Sequence, residues 1–388
     1  MRNFLILCLT GLSLLLLSCG GGKERVHSFV ISSESFIDIG WDEWTPVTLT
    51  VDGNMTDAYV HYRGGGSSRH PKWSLSLKFD HPVELCGLPA DKKWVLNASY
   101  IDKTFLRHKL SFDLFRMMNP GVNISPQCKF ALLQINDDSL GLYVLMQKMD
   151  PVTLGISRKD TSSVLFKEPR IFQTGYIPPQ DTNNIYQQKF PKKKKDDRTC
   201  QIESLRDFLF NSSDSLFRDS IASVFDINNV ADWHLLLLFS NNADGIIKNY
   251  YLYKVDDATP FRIAPWDYDH SYGRDSDYEY NMLDEILDCD RAVILHRLWE
   301  WDSYRTLISN RWCELRRQNI ISVQRLEAMV DADAKTIRKA VEANVRIWPV
   351  DDPVFSDSND FDSEINIMKQ FFKLNIPRLD SLFNYQSK

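Results

Sequence analysis

The sequence predicts an α+β fold in which strands come first along the chain and helices follow. Residues 47–149 contain segments in which apolar and polar residues alternate with a period of two, as in strands that are buried on one face. From residue 203 onward, apolar residues recur with helical spacing instead. The chain has 388 residues, of which 43% are hydrophobic, so it can bury a large core as one two-lobed domain or as two domains.

The first 18 residues predict a signal peptide for export. Arg2 precedes an apolar run that is shorter than a membrane-spanning helix requires. Ser18 and Cys19 resemble the processing site of lipoproteins, in which the cysteine becomes the lipidated N-terminus, and glycines 20–22 suit a flexible tether within an N-terminal segment, residues 19–44. We therefore expect a bacterial cell-envelope lipoprotein that is held on the membrane through Cys19. An ordinary secretory peptide that contains Cys19 is the alternative.

The net charge and the cysteine spacing limit the kinds of ligand that we expect the chain to bind. The formal net charge of −6 argues against non-specific nucleic-acid binding, and we expect a monomer. The five cysteines beyond Cys19 are widely spaced and contain no CxxC, which argues against a zinc site. In an exported protein they can form one disulfide, or they can remain scattered buried thiols.

Residues 45–165 predict a small sheet with one helix. Strands are predicted at 47–51, 58–62, 73–79, 94–100, 130–135, 142–149 and 164–167. A helix is predicted over 102–115, with Asp102 as its N-cap. The glycines 64–66 between two strands can lie over a phosphate, because backbone N–H groups approach an anion closely where side chains are absent, or they can form a simple hairpin.

Residues 166–202 predict a polar insertion, and residues 203–388 predict helices. The insertion ends in the run Lys192–Lys195, which can dock an acidic partner or a lipid surface, or can remain solvated. The predicted helices span 205–210, 214–224, 231–240, 285–299, 303–317, 323–344 and 362–382. The helix over 231–240 is too apolar for a surface helix, so we expect it in the core, with His234 as a hydrogen-bonded core residue.

The segment from Ser240 to Gly273 contains the residues with the clearest chemical signal. Asp244 and Asn249 have the D-x₄-N spacing found in phosphoryl transfer, where a carboxylate orients the attacking hydroxyl and the amide holds a metal. Asp267 follows a hairpin predicted over 249–264, which would return it to the same place as the main metal carboxylate. Mg²⁺ keeps much of its water and needs only such a sparse oxygen set.

A turn role is the alternative for the last acidic residue of this segment. Asn and Asp are common in turns because they tolerate left-handed backbone and hydrogen-bond to their own backbone. Asp269 can therefore be a metal residue or a turn residue, and His270 is a weak candidate to support the metal site.

Several segments in order resemble the CotH kinase family of atypical protein kinases, over about residues 55–385. They are NNADGIIKNYYLY and PWDYDHSYG in the central segment, RGGGSSRHPKWSLSLKF at 63–79, LPADKKWVLNASYIDKTFLRHKLSFDL at 88–114 and LGLYVLMQKMD at 140–150. The resemblance implies a two-lobed, kinase-like fold with a sheet-rich N-lobe over about 45–165, a helical C-lobe over about 203–388 and the site between them. It also implies phosphorylation of serine or threonine in a protein substrate, with ATP and Mg²⁺, or Mn²⁺, as cofactors.

The resemblance assigns roles to the central residues. Asp244 would orient the acceptor hydroxyl, while Asp267 and Asn249 would hold the metal, with Asp269 supporting it through water. A lysine and an arginine of the family motif match Lys78 and Arg63, which would neutralise phosphate charge.

Other positions keep alternatives open. Lys72 competes with Lys78 for the phosphate role, and Arg107 and Lys109 fall in a family motif that can contact phosphate. Gln147 stands where the family has a glutamate, and an amide cannot pair electrostatically with a phosphate-binding lysine or hold a metal as a carboxylate does. An inactive binding or attachment module on the cell envelope is therefore an alternative, and a glycan-handling lipoprotein that uses its tryptophans is another.

Overall fold

The computed structural model describes residues 24–33, 38–160, 162–175, 185–275, 280–281, 283, 287–349 and 359–386. Within these ranges a sheet-rich region is followed by a mainly helical region, which confirms the predicted α+β class. The predicted signal peptide, Cys19 and glycines 20–22 lie outside the described residues. No described helix combines the length and the hydropathy that crossing a membrane would need.

The first described region is a closed barrel of seven strands. The strands are β1 (Val26–Ser32), β2 (Thr45–Val51), β3 (Asn54–Arg63), β4 (Ser74–Leu85), β5 (Leu88–Asn97), β6 (Cys128–Ile135) and β7 (Asp138–Gln147). Their order around the barrel is β1-β2-β3-β4-β5-β7-β6. Neighbours are antiparallel except β1 and β6, which pair in parallel and close the barrel. The sequence did not predict β1, which lies in the N-terminal segment, residues 19–44, where no strand was expected.

The alternation that predicted these strands also sorts their side chains into two cores. Leu77, Trp94 and Leu145 are fully buried in the cluster that fills the barrel. Val95 and Met146, which alternate with them along the strands, belong instead to the larger core that the helices share. The barrel is therefore buried on both faces where the helical region covers it.

Helix α1 (Arg107–Met118) follows β5 and begins later than predicted. Asp102 is not its N-cap. The Asp102 carboxylate instead accepts hydrogen bonds from the backbone N–H groups of Thr104 and Arg107, at 3.1 Å each. This buried turn delays the start of the helix by about one turn.

A second sheet joins the region after the barrel to the central hairpin. Its strands are β8 (Val164–Lys167), β9 (Gln188–Phe190), β10 (Tyr250–Lys254) and β11 (Arg262–Pro265), in the antiparallel order β11-β10-β8-β9. A short pair, β12 (Arg274–Asp275) and β13 (Tyr280–Asn281), follows. The strand β8, for which the sequence predicted no partner, thus pairs with the hairpin that contains the candidate site.

The remaining described helices form the C-terminal region. They are α2 (Thr199–Asn211), α3 (Asp214–Val224), α4 (Ile227–Ser240), α5 (Ala243–Ile247), α6 (Val293–Trp299), α7 (Asp302–Arg317), α8 (Val323–Ile347) and α9 (Phe361–Leu382). Helix α4 is buried along most of its length, as its apolar sequence predicted. His234 is a core residue whose Nδ1 lies 3.1 Å from the Tyr304 hydroxyl. The described cysteines are free thiols.

One asparagine joins α8 to the barrel. The Asn344 Oδ1 accepts hydrogen bonds from the Leu142 backbone N–H at 3.1 Å and from the Lys72 ammonium at 3.0 Å. Gly141 makes this approach possible, because a Cβ there would lie 2.4 Å from the Asn344 Oδ1. The helical region is thereby held against β7 by a buried polar contact.

Candidate active site

A cleft of about 480 Å³ lies where the barrel meets the second sheet. Its walls come from four separate parts of the chain: the glycine turn after β3, the segment after β5, the end of β8, and the segment around the central hairpin. Volumes of this order accommodate drug-sized ligands and cofactors. The predicted site residues that line it are Arg63, Asp244, Asn249, Asp267 and Asp269.

The end of helix α4 positions Asp244. Asn241 adopts a left-handed conformation with φ 54°, which ends the helix and turns the chain. The Asn242 side chain then accepts a hydrogen bond from the Gly245 N–H at 2.8 Å and caps the short helix α5. Asp244 lies in the first turn of α5, and its carboxylate pairs with the Lys248 ammonium at 3.0 Å.

The central hairpin brings Asn249 and Asp267 together. Trp266 donates its backbone N–H to the Asn249 carbonyl at 3.0 Å, and the Asn249 side-chain amide donates to the Asp267 carbonyl at 2.8 Å. Asp267 has a left-handed backbone with φ 59°, which the surrounding contacts must hold in place. The predicted return of Asp267 to the D-x₄-N pair is therefore present in the fold.

His108, on α1, completes a cluster of possible metal ligands. Its Nε2 lies 3.0 Å from Oδ1 of Asp267, and the imidazole is almost fully buried while the Asp267 side chain is 44% exposed. One ligand atom each from His108, Asp267 and Asp269 can be chosen within 4.8 Å of one another. Oxygen and imidazole ligands at this separation fit a divalent cation.

The electrostatics of this cluster favour an added positive charge. Burial opposes ionisation of Asp267, but the hydrogen bond and charge of His108 lower its pKa below the usual carboxyl value. Burial and the adjacent Asp267 charge raise the pKa of Asp269. Burial alone would lower the pKa of His108, yet the hydrogen bond to Asp267 and the carboxylate charges raise it. Two carboxylates held this close are stabilised by a cation, and a metal ion bound through the imidazole would have to displace the proton that Asp267 stabilises on His108.

A buried ion-pair network supports the loop that carries the two aspartates. Arg107 is fully buried and bonds to the Asp102 carboxylate at 2.6 Å and to the Glu364 carboxylate at 2.7 Å. Its Nε also donates to the Ser271 carbonyl at 2.9 Å, and Arg274 pairs with Glu364 at 2.5 Å. The network links α1, the loop after Asp267 and α9. Arg107 is thus a bracing residue, and it does not face the cleft as a phosphate ligand would.

Lys78 and Gln147 do not lie among the residues that line this cleft. The Lys78 ammonium lies over the rings of Trp44 and Tyr59, at 4.9 and 4.4 Å from their centres. The side chain faces the outer surface of the barrel farther along β4, so its predicted phosphate contact does not fit the geometry. Gln147 is buried, and its Oε1 accepts the Gln127 N–H at 3.0 Å. The glutamine therefore does not act directly on the cleft.

Lys72, the alternative to Lys78 as the phosphate-binding lysine, lines the cleft. Its ammonium group, however, donates hydrogen bonds to acceptors buried inside the protein. Besides the Asn344 contact, it donates to the carbonyls of Ala98, at 2.9 Å, and Leu142. Burial strongly lowers its pKa. Lys109 is also engaged, with Asp113 and Asp333 at 3.0 Å each.

The structure adds cleft residues that sequence reasoning missed. They include Arg69, Lys167, Glu168, Arg170 and Lys248. Gly65 and Gly66, from the glycine turn that the sequence analysis had considered as a phosphate loop, also line the cleft. Lys167 pairs with Glu168 at 2.7 Å. Its position at the end of a predicted strand was the one available signal, since a cation at a strand end can face a cleft. His108 carried no signal as a metal ligand, because the family motif around it pointed to its neighbours Arg107 and Lys109.

A family model matches most of this chain. The model described as CotH kinase protein matches residues 60–376. Inner spore coat protein H of Bacillus subtilis (strain 168) is 24% identical over 349 residues, which cover 87% of this chain and 90% of that protein. A solved complex of HipA, HipB and operator DNA from Shewanella oneidensis MR-1 gives a TM-score of 0.32 at 11% identity, covering 96% of this chain and 70% of that chain. That score is too low to carry an argument about the fold.

Proposed function

The chain belongs to the CotH kinase protein family, and from this membership we propose that its cleft binds ATP with a divalent cation and transfers the γ-phosphoryl group to a serine or threonine hydroxyl of a protein. The observation that carries the proposal is that Asp244, Asn249 and Asp267 line one cleft. Kinase-type transfer needs a carboxylate for the acceptor, oxygen ligands for the metal and cations for the phosphates. All three kinds of group line this cleft.

The metal would be held by Asp267 and Asp269, with Asn249 beside them. The Asn249 side-chain amide nitrogen donates a hydrogen bond to the Asp267 carbonyl. The Asn249 Oδ1 is therefore the atom of this side chain that can bind a cation. This oxygen-rich set suits Mg²⁺ or Mn²⁺, and the nearby imidazole of His108 suits Mn²⁺ better than Mg²⁺. When bound, the ion would neutralise charge on the transferred phosphoryl group.

Asp244 is the residue proposed to receive the acceptor. Its side chain is 30% exposed, so a hydroxyl group that enters the cleft can reach the carboxylate. Lys248, 3.0 Å away, would hold that carboxylate in place, as a positioning residue. Arg63 keeps the phosphate-neutralising role that the sequence assigned to it, and Lys167 would take the place of Lys78.

Nucleotide binding and transfer can be tested separately. We expect ATP with Mg²⁺ or Mn²⁺ to stabilise the purified chain against heat, by about 2.7 kcal/mol at one hundred times its dissociation constant. Asp267→Asn should lose the metal-dependent part of this shift, whereas Asp244→Asn should keep it. Both variants should transfer labelled phosphate to serine peptides roughly 10²–10⁴-fold more slowly. Asp257→Asn, an exposed carboxylate of the same hairpin, is the control.

Each outcome discriminates between functions. Equal transfer by Asp244→Asn and the unmodified chain would contradict the kinase proposal. A nucleotide shift without transfer to any peptide would favour the inactive binding module. The glycan-handling alternative would instead give a thermal shift with oligosaccharides and none with nucleotides.

A further inference from the structure

Three lysines occupy one row on the outer face of the barrel. Lys78 on β4 is paired directly with Lys93 on β5. Trp94 on β5 is paired with Gln147 on antiparallel β7. The next position in this register places Lys148 opposite Lys93, so Lys148 belongs to the same row. Like charges directly opposite across neighbouring strands destabilise a sheet. This row therefore costs folding stability.

Two more lysines, Lys189 on β9 and Lys192 after it, lie close enough for their charges to act on Lys148 and Lys93. We use the term lysine cluster for Lys93 and Lys148 of the row together with Lys189 and Lys192. Across the described ranges no ion pair involves a member of this cluster, whereas the neighbouring Lys167 is paired. Lys93 and Lys148 are half-buried, so water does not fully solvate the charges that the protein leaves unpaired.

The charges of the cluster act on one another. Burial, followed by the charges of Lys93, Arg63 and Lys189, lowers the pKa of Lys148 to about 8, although Asp150 opposes this. Burial and the charge of Lys192 lower the pKa of Lys93. An anion placed against the cluster would relieve both the burial cost and the repulsion.

The lysine cluster is connected to the cleft along the strands and through β8. Arg63 and Ser74, which are paired across β3 and β4, line the cleft. Lys78, the strand partner of the cluster member Lys93, lies four residues beyond Ser74 along β4 and on the same face, which is about 13 Å at the rise of a strand. On the other side, the charge of the cleft residue Lys167 lowers the pKa of Lys189, after burial. The distance of about 13 Å between the cleft and Lys78 corresponds to about four residues of an extended peptide.

We propose that the lysine cluster docks an acidic segment of the acceptor protein, a few residues away from the serine or threonine that enters the cleft. This inference rests on the proposed function, because it needs an acceptor chain in that cleft. Carboxylates on an extended peptide match separate ammonium groups as point charges. The position next to the cleft, where the acceptor serine or threonine would enter, favours a peptide over a membrane or a nucleic acid.

The test uses the purified chain without nucleotide and three labelled serine peptides, identical except for a flanking run of aspartate, asparagine or lysine. Fluorescence anisotropy should show that the aspartate peptide binds most tightly and that salt weakens its binding. The double variant Lys93→Gln/Lys148→Gln should bind it roughly tenfold more weakly. Lys335→Gln/Lys339→Gln, with the same charge change on the exposed face of α8, is the matched control and should bind like the unmodified chain.

A second readout excludes misfolding as the cause. Because the double variant loses repulsion, it should unfold at a higher temperature than the unmodified chain while it loses the peptide. Equal peptide affinity in both double variants would overturn the proposal, and so would a specific loss of binding to anionic vesicles or RNA in place of the peptide. Peptide docking that depends on the cluster, in a chain with no nucleotide-dependent thermal shift, would support the docking surface and contradict the kinase proposal.

Discussion

Two groups of charged side chains in this protein are partly or fully buried. They differ in whether the chain supplies opposite charges to neutralise them. The network around Arg107 is fully buried, and its guanidinium is shared between Asp102 and Glu364. Lys93 and Lys148 are only half-buried, yet they lie beside other cations. The carboxylates of the chain itself neutralise Arg107, and this network holds the loop of Asp267 in place. The lysine cluster is neutralised only when an anion from outside the chain binds.

Lys72 lies between these two states. It is buried like Arg107, but its partners are two carbonyls and the Asn344 amide oxygen instead of carboxylates. Neutral acceptors can satisfy the hydrogen bonds of an ammonium group without cancelling its charge, so burial still lowers the pKa of Lys72. From this comparison we expect that removing a partner lowers the free energy of unfolding more in the Arg107 network than at Lys72.

The largest effect is expected where pairing is complete. Arg107→Met would leave the buried Asp102 carboxylate without its cation and the buried Glu364 carboxylate with Arg274 alone. We therefore expect a loss of about 3–5 kcal/mol in the free energy of unfolding, measured in urea. Arg338→Met removes an exposed pair with Asp362 and should cost only about 0–1 kcal/mol. Similar losses in the two variants would remove the distinction drawn here between bracing and surface charges.

A smaller effect is expected at the neutral contact of Lys72. Asn344→Leu removes one acceptor of the ammonium and the partner of the Leu142 N–H, which should cost roughly 1–3 kcal/mol. The exposed Asn211→Leu change is the control and should change stability little. A loss as large as that of Arg107→Met would show that charge pairing is not what separates the two sites.

An effect of the opposite sign is expected in the lysine cluster, where removing a lysine should stabilise the chain. The folded chain binds its proton on Lys148 less tightly than the unfolded chain does, because the pKa falls from 10.5 to about 8. This group therefore makes stability rise with pH between about 8 and 10.5. Lys148→Gln should be more stable than the unmodified chain at neutral pH and should show a smaller rise, in urea unfolding at a series of pH values. Lys335→Gln should retain the full rise.

Local patterns predicted much of the fold. Helix α3 and strand β8 have the predicted bounds, because capping and alternation act within a few residues. The sequence did not reveal β1, whose pairing with β6 joins segments about a hundred residues apart. It also misplaced Lys78, since a motif indicates that a lysine follows a turn but not which part of the strand faces the cleft.

The sequence by itself determined the α+β class, the family and the three central residues Asp244, Asn249 and Asp267, because these lie within one hairpin and the turns beside it, where local geometry brings them together. Only the tertiary structure decided that His108 joins Asp267, that Arg107 braces the loop and that Lys93 and Lys148 share a row. Those contacts join strands and helices that are distant in the chain, and their energies depend on burial and on neighbouring charges that exist only after the chain has folded.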